Sequence, residues 1–405
     1  MRQDSHRLSA LAHSLKAAVG SYTPGVAAEP GIYTAVTASP RRDGAAAGAG
    51  SSDGGSRAEG TTTPPPPGIS VASADWTLQQ VKAALASGAA GPPGAAAAAA
   101  SDSAAGGGGG GTPAAGEPAE LANLSLGAQL SDGRRAALWS ATWERRPAVV
   151  KVLKREGLKS EEVLRTFSQE VAILAGLSHP SVVQLLGSGL HHGAPALVLE
   201  PLGSSLHELL YPPGLVVGPG VPPPPLQPIP AAVIHRLVLQ SAEALAYLHA
   251  FHVLHRDVRP ATILLDSSGR AKLACFGASS RLERGHAREY TPEAPSYRYM
   301  APEVISHLQC SEPSCDVFSF SLLLWEVTHR QVPFEGHSPV QAAFASAMSR
   351  LRPALRPRTE LQGFAPIISA CWEHTADQRP TMAQVVEQLH ALAPSFAGAP
   401  GTALA

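Results

Sequence analysis

The sequence predicts an α+β fold, an antiparallel sheet followed by helical structure, and three observations predict it. From Leu124 to Leu153, apolar and aromatic residues alternate with polar ones around short turns, the period-two pattern of half-buried strands. From Ser160 to Leu177 the period changes. Val163, Phe167, Val171 and Leu174 recur at i, i+4, i+8 and i+11, one helical face, with Glu170 beside them. Ahead of both, residues 1–116 are dominated by Ala, Gly, Ser, Thr and Pro, with the runs Pro64–Pro67, Ala95–Ala100 and Gly106–Gly111. Such a segment has too few large apolar side chains to offset the entropy of ordering its backbone, so a disordered tail is expected. The length of 405 residues would accommodate two or three domains, but this composition leaves one folded domain behind the tail.

Each element can be taken in order. Within the tail, Trp76–Leu85 spaces Leu78, Val81 and Leu85 helically; a short docking helix and an accident of composition both fit, and accident is the simpler account. The strand region ends at Leu153, and the amphipathic helix follows. Val182–Leu186 and Ala196–Leu199 read as two further short apolar strands, and Leu206–Tyr211 as an apolar segment after them. Pro212 to Pro230 is a Pro- and Gly-rich insert whose Pro222–Pro225 run favours extended polyproline. Its alternatives are a solvated loop and a ligand for an SH3-like or WW-like partner.

Bulk properties exclude several classes. A formal net charge of -1 and a pI near 7.0 give no field that would recruit nucleic acid or an anionic membrane. The longest apolar runs, such as Leu322–Trp325, fall far short of the roughly 20 residues a transmembrane helix needs. The N-terminus has no continuous apolar stretch, which argues against a secretory signal. Its Arg, Ser and Ala content fits an organelle transit peptide, with Asp4 against it. Cys275, Cys310, Cys315 and Cys371 are few and irregularly spaced, which predicts reduced, mostly buried thiols in an intracellular, cytoplasmic protein and no zinc site.

Chemistry concentrates between Val253 and Gly277, VLHRDVRPATILLDSSGRAKLACFG. This stretch resembles the catalytic loop and metal motif of protein kinases, H-R-D-L-K-x-x-N and D-F-G: His255, Arg256 and Asp257 match, while Thr262 stands at the Asn position and Cys275 at the metal-binding Asp. The likeness extends outward at the expected spacing. Ala148–Lys151 is similar to the strand carrying the phosphate-binding lysine, and Phe167–Val171 to the helix whose glutamate pairs with it. Tyr297–Glu303 resembles the end of an activation segment. Asp316–Phe320 with Leu323–Glu326 resembles the buried helix after it, and Cys371-Trp372 and Arg379-Pro380 complete the tyrosine-kinase-like pattern. The resemblance covers about residues 120–395. It implies a two-lobed protein-kinase fold, with a β-rich N-lobe over about 120–199, a hinge at Glu200–Gly203, a mostly helical C-lobe over about 204–395, and residues 396–405 as a tail.

The same resemblance implies roles. Lys151 paired with Glu170 would aim at phosphates, Asp257 would orient an acceptor hydroxyl, and Arg259 would meet a phosphate oxygen. Gly133, Leu138, Val149, Glu200 and Leu264, with Lys151, would line an ATP site, and Leu199 would be its gatekeeper. The glycine-rich loop falls on Ser131–Leu138 and keeps only its middle glycine, so side chains at Ser131 and Ala136 and the charge of Asp132 oppose phosphate binding, with Arg134 and Arg135 as partial compensation. A thiol and a hydroxyl are poor ligands for magnesium, whose loss slows phosphoryl transfer by roughly a thousandfold or more. Asp266 is the nearest substitute carboxylate. Scaffold groups are kept: Arg256 with Asp316, Glu303 with Arg379, and the stack of His255, Phe276, Leu174 and Leu185. Ser279, Ser280, Tyr290, Thr291, Ser296 and Tyr297 are candidate phosphate acceptors, with Arg256 as receiver. The expectation is a pseudokinase binding signalling proteins, an active kinase among them. Its rivals are a weakly active ATP-dependent serine/threonine kinase and an adaptor working through the insert and tail.

Overall fold

The computed structural model describes residues 34–35, 120–212, 228–282, 294–307, 310 and 312–396. The expectations for the rest of the tail, for 213–227 of the insert, for Tyr290 and Thr291 and for 397–405 lie outside the described residues. Thr34–Ala35 makes a two-residue antiparallel pairing with Leu351–Arg352.

Five strands build the first lobe: β1 (Leu124–Asp132), β2 (Ala136–Trp143), β3 (Arg146–Leu153), β4 (Leu185–His191) and β5 (Ala194–Leu199). They are antiparallel throughout, in the order β1-β2-β3-β5-β4. Alternation decides what each face carries. Ala148 and Val150 of β3 and Ala196 and Val198 of β5 form a small core on one face, covered by Leu124, Leu126, Trp143 and Leu186. Period two then turns Val149, Lys151 and Leu197 to the opposite face, and there Leu197 joins the main core.

Helix α1 (Glu161–Ala175) packs beneath that face. Ser160 caps it by accepting from the amide of Val163, and Glu161 and Glu162 in its first turn complement the helix dipole. Its buried stripe carries Val163, Phe167, Glu170, Val171 and Leu174, the face that the sequence periodicity predicts.

The second lobe is helical. It comprises α2 (Leu206–Leu210), α3 (Ala231–Ala250), α4 (Pro302–His307), α5 (Ser314–His329), α6 (Pro339–Ala347), α7 (Ala365–Cys371) and α8 (Met382–Leu392), with the short hairpin β6 (Ile263–Leu265) and β7 (Ala271–Leu273) facing the first lobe. Helix α5 is buried from Cys315 to Thr328, the signature of a central helix that is apolar all round. Its small polar residues turn back on backbone: Ser321 donates to Phe318 O and Thr328 to Leu324 O. Arg379 grips Glu303 at the start of α4 through two bonds of 2.6 and 2.8 Å and also donates to Ser314 O at 2.9 Å, the pairing that the sequence leads one to expect.

One expectation is corrected. Cys310 and Cys315 are not separate thiols but a disulfide, their Cα atoms lying 6.3 Å apart. Cys371 is buried and free, as expected, whereas Cys275 is free but exposed. No helix among the described residues is long and apolar enough to cross a membrane.

Glu326 on α5 is fully buried and accepts from the Tyr299 hydroxyl at 2.6 Å; burial pushes its carboxyl up to about 7, outweighing that hydrogen bond. A folded-state value above the unfolded one means that its contribution is present in full below about pH 4.5 and is lost as pH rises through about 7. Urea midpoints taken from pH 4.5 to 8 should therefore show the wild type losing on the order of 3 kcal/mol relative to Glu326→Gln. Parallel pH profiles for the two proteins would contradict this.

Candidate functional site

Sheet alternation and the stripe of α1 bring two charges together between the lobes. Lys151 Nζ lies 2.6 Å from Glu170 Oε2, with Glu170 almost wholly buried and Lys151 partly open to the cleft. Docking of α1 keeps them there. Gln169 Nε2 donates to Ser279 O at 3.1 Å, and Phe276 meets His255 edge-on with ring centroids 5.2 Å apart. Leu174, Leu185, His255 and Phe276 are all buried in the main core. The His255–Phe276 part of the expected stack is thus in contact, with Leu174 and Leu185 buried in the same core.

The loop below is held by Asp316, whose Oδ2 accepts the His255 amide at 2.9 Å and whose Oδ1 accepts the Arg256 amide at 2.8 Å. Arg256 is thus held through its backbone, and its Nε donates to Ala278 O at 2.6 Å. Burial alone would raise the Asp316 carboxyl, but the bond from His249 at 3.0 Å and the neighbouring His255 keep it below the usual range. His255 is pulled down by burial. Neutral, it places Nε2 2.8 Å from Ala274 O, so that nitrogen carries the proton and Nδ1 accepts the Asp257 amide at 3.3 Å.

Asp257 Oδ1 accepts from Arg259 Nε at 2.9 Å and from Ser296 Oγ at 2.7 Å. Burial disfavours the charge on Arg259, but Asp257 more than restores it. Ser296 is thereby an orienting hydroxyl and no exposed phosphate acceptor. Ser279, Ser280 and Tyr297 are buried as well. No sequence signal beyond proximity to Tyr297–Glu303 marked Ser296 as a partner of Asp257.

The two substituted positions differ in how they fail as ligands. Thr262 is buried, and its hydroxyl lies 2.7 Å from Asp257 O and 2.9 Å from Arg259 O, so it ties the loop to itself and turns away from the cleft. Cys275 adopts a left-handed conformation, φ 65° and ψ 55°, which suits Asp or Asn better than Cys. Its thiol is exposed to the cleft, yet it is pushed up to about 11 by desolvation from the surrounding walls and by Asp257, and it stays a neutral thiol at neutral pH. Asp266 is engaged in the β6–β7 turn, where its Oδ1 accepts from Ser268 N, Ser268 Oγ and Arg270 N. Among the described residues no group of three or more His, Cys, Asp or Glu is placed to hold a metal. A neutral thiol and a hydroxyl bonded to backbone are poor ligands for magnesium.

The nucleotide-lining candidates occupy both walls. Leu138 pairs with Lys151 across β2 and β3, Val149 pairs with Leu199 across β3 and β5, and Leu264 lies on β6 opposite Lys272. Gly133 sits at the β1–β2 turn, where a Cβ would lie 2.9 Å from Ala136 O, so glycine is required by the close approach. Lys154 answers the charge of Asp132 at 2.5 Å, and that hydrogen bond lowers the Asp132 carboxyl. Arg135 leans instead to Glu162 at 3.9 Å. Glu200 does more than line the hinge: its Oε1 accepts Gln184 N at 2.8 Å and Lys272 Nζ at 2.7 Å, a buried link between the lobes that sequence reading missed. A lysine inside the short apolar strand Ala271–Leu273 was the available signal.

Comparison with known proteins agrees with this geometry. A family model described as protein tyrosine and serine/threonine kinase matches residues 124–389. The chain is 30% identical over 274 residues to serine/threonine-protein kinase STY46 of Arabidopsis thaliana, covering 67% of this chain and 45% of that protein. It is 31% identical over 277 residues to serine/threonine/tyrosine-protein kinase HT1 of the same plant, covering 67% of each. It is 28% identical over 282 residues to the probable serine/threonine-protein kinase drkC of Dictyostelium discoideum, covering 68% of this chain and 36% of that one. The chain thus spans less than half the length of STY46 and drkC.

The loop-tying role of Thr262 is open to measurement. Thr262→Val keeps the shape but leaves Asp257 O and Arg259 O without that donor, so it should destabilise the domain by about 1–3 kcal/mol in urea unfolding. Thr262→Ser, which keeps the donor, should recover most of the loss. Equal stability of the Val and Ser variants would refute the role.

Proposed function

Because the chain belongs to the protein tyrosine and serine/threonine kinase family, in its tyrosine-kinase-like branch, we propose that it is a pseudokinase: a signalling module that binds protein partners, an active kinase among them, through a preassembled kinase conformation. One observation carries this reading. The scaffold is complete, with the Lys151–Glu170 pair closed at 2.6 Å, while Thr262 is turned onto backbone and Cys275 presents a neutral thiol.

Nucleotide binding in this reading is weak and independent of metal. Lys151 supplies the cation for phosphate oxygens, Leu138, Val149 and Leu264 supply apolar walls, and the backbone at Gly133 and Glu200 supplies the polar edges. Magnesium would ordinarily neutralise the charge that develops in phosphoryl transfer, and no step is routed through it here. Lys272 and Gln184 hold the Glu200 side chain, which leaves the hinge backbone as the recognition element.

A weakly active serine/threonine kinase is the second reading. The Asp257–Arg259–Ser296 arrangement favours it, since an acceptor hydroxyl could still be oriented there, and the relatives are named as kinases. The adaptor reading rests on the Pro-rich insert and the tail.

Thermal unfolding with ATP separates these readings. At an ATP concentration near 100 Kd the melting temperature should rise by about 5–10 °C, and by the same amount in magnesium and in EDTA. A rise confined to magnesium would overturn the loss of the metal site.

Repair gives a second test. Cys275→Asp combined with Thr262→Asn should raise magnesium-dependent phosphotransfer at least about tenfold above the parent, and adding Asp257→Ala should remove about 100-fold or more of it. Robust Asp257-dependent phosphotransfer by the unmodified chain would end the pseudokinase reading.

A further inference from the structure

The bond between Cys310 and Cys315 stands apart from nucleotide chemistry. Both residues are buried, and Cys315 lies in the first turn of α5 immediately before Asp316. A small cavity joins the two sulfur-bearing side chains to Arg256, Met300, Val304 and Asp316. The bond therefore borders the carboxylate that holds the amides of His255 and Arg256.

We propose that Cys310 and Cys315 form a site of reversible thiol–disulfide exchange with a glutathione-type thiol, and that its redox state sets how firmly Asp316 holds the catalytic loop. Two observations favour a switch over a framework. A single bond across five positions closes a short loop, while Cys275 and Cys371 remain thiols, so the cysteines build no disulfide scaffold. The helices on either side are already fastened without it, since Arg379 bridges Glu303 of α4 and the Ser314 carbonyl of α5. Breaking the bond leaves that bridge, and with it the fold, in place. What it removes is the second tether beside Asp316.

The chemistry balances with two glutathione molecules. A glutathione thiolate attacks one protein sulfur and forms a mixed disulfide, and the other protein sulfur leaves as a thiolate that takes a proton. A second glutathione thiolate then attacks the glutathione sulfur of that mixed disulfide, releasing the remaining protein thiol and glutathione disulfide. Two electrons pass to the protein pair; the reverse reaction consumes glutathione disulfide. Burial of both sulfurs makes attack depend on local opening around the Cys310–Cys315 bond. The proposal is independent of whether the cleft transfers phosphate.

The test equilibrates the full chain over a series of glutathione to glutathione disulfide ratios, traps thiols by alkylation and maps them by mass spectrometry. Hydrogen exchange of residues 253–258 and thermal unfolding are read at both ends of the series. The pair should pass from bonded to dithiol within the series while Cys371 stays a thiol throughout. The reduced chain should exchange the His255 and Arg256 amides about tenfold faster, and it should melt about 2–4 °C lower. Cys310→Ser should match the reduced chain at every ratio, and Cys315→Ala provides the same control from the other side. The proposal is overturned if both cysteines stay thiols at the most oxidising ratio or if the bond survives the most reducing one. It is equally overturned if the bond forms and breaks with no change in exchange at His255 and Arg256.

Discussion

The carboxylate of Asp316 accepts the amides of His255 and Arg256 and a ring nitrogen of His249, all within 3.0 Å and out of contact with water. Arg256 sits in the left-handed region at φ 64°, which costs a non-glycine residue roughly 1–2 kcal/mol. Hydrogen bonds to a charged group are worth about 1.5–3 kcal/mol each, so the two backbone bonds outweigh that strain and hold the turn in place. Once Arg256 is held, Asp257 is aimed at Arg259 and Ser296, and His255 is left to brace Ala274 and Phe276. The turn at His255–Arg256 is thus fastened to α5 through this one side chain.

Seen from that anchor, support and chemistry part company. The backbone at Cys275 keeps a left-handed conformation that a carboxylate-bearing residue tolerates well, and Phe276 after it packs into the core. The side chain at that position nevertheless carries no charge at neutral pH. Thr262 shows the same division, because its buried hydroxyl performs the local duty of joining Asp257 and Arg259. A kinase scaffold whose buried pairs and stacked rings are intact can present one conformation to a partner whether or not phosphate moves.

The lobes are joined by charge as well as by packing. Glu200 and Lys272 meet at 2.7 Å with both side chains mostly buried, and Gln184 completes the carboxylate's shell. Removing one member would leave the other charge without its partner in a low-dielectric site, whereas the exposed Arg135–Glu162 contact at 3.9 Å is open to solvent and contributes little. This buried link lies beside Leu264, which pairs with Lys272 across β6 and β7.

Periodicity alone was sufficient for β3 and for the buried stripe of α1, since those depend on residues close in sequence repeating at 2.0 or 3.6 positions, whereas the pairing of Lys151 with Glu170, 19 positions apart, was legible only through the family resemblance. Motif spacing likewise sufficed for Glu303 with Arg379. Tertiary structure alone decided the rest. Ser296 reaches Asp257 across 39 positions, Lys272 reaches Glu200 across 72, and both meetings depend on how loops and strands from distant parts of the chain are brought together. The Cys310–Cys315 bond is close in sequence yet was invisible there, because spacing says how far apart two cysteines are along the chain and nothing of the turn that brings their Cα atoms to 6.3 Å. Local pattern determines which face a side chain takes, and only the packed fold determines what it meets on that face.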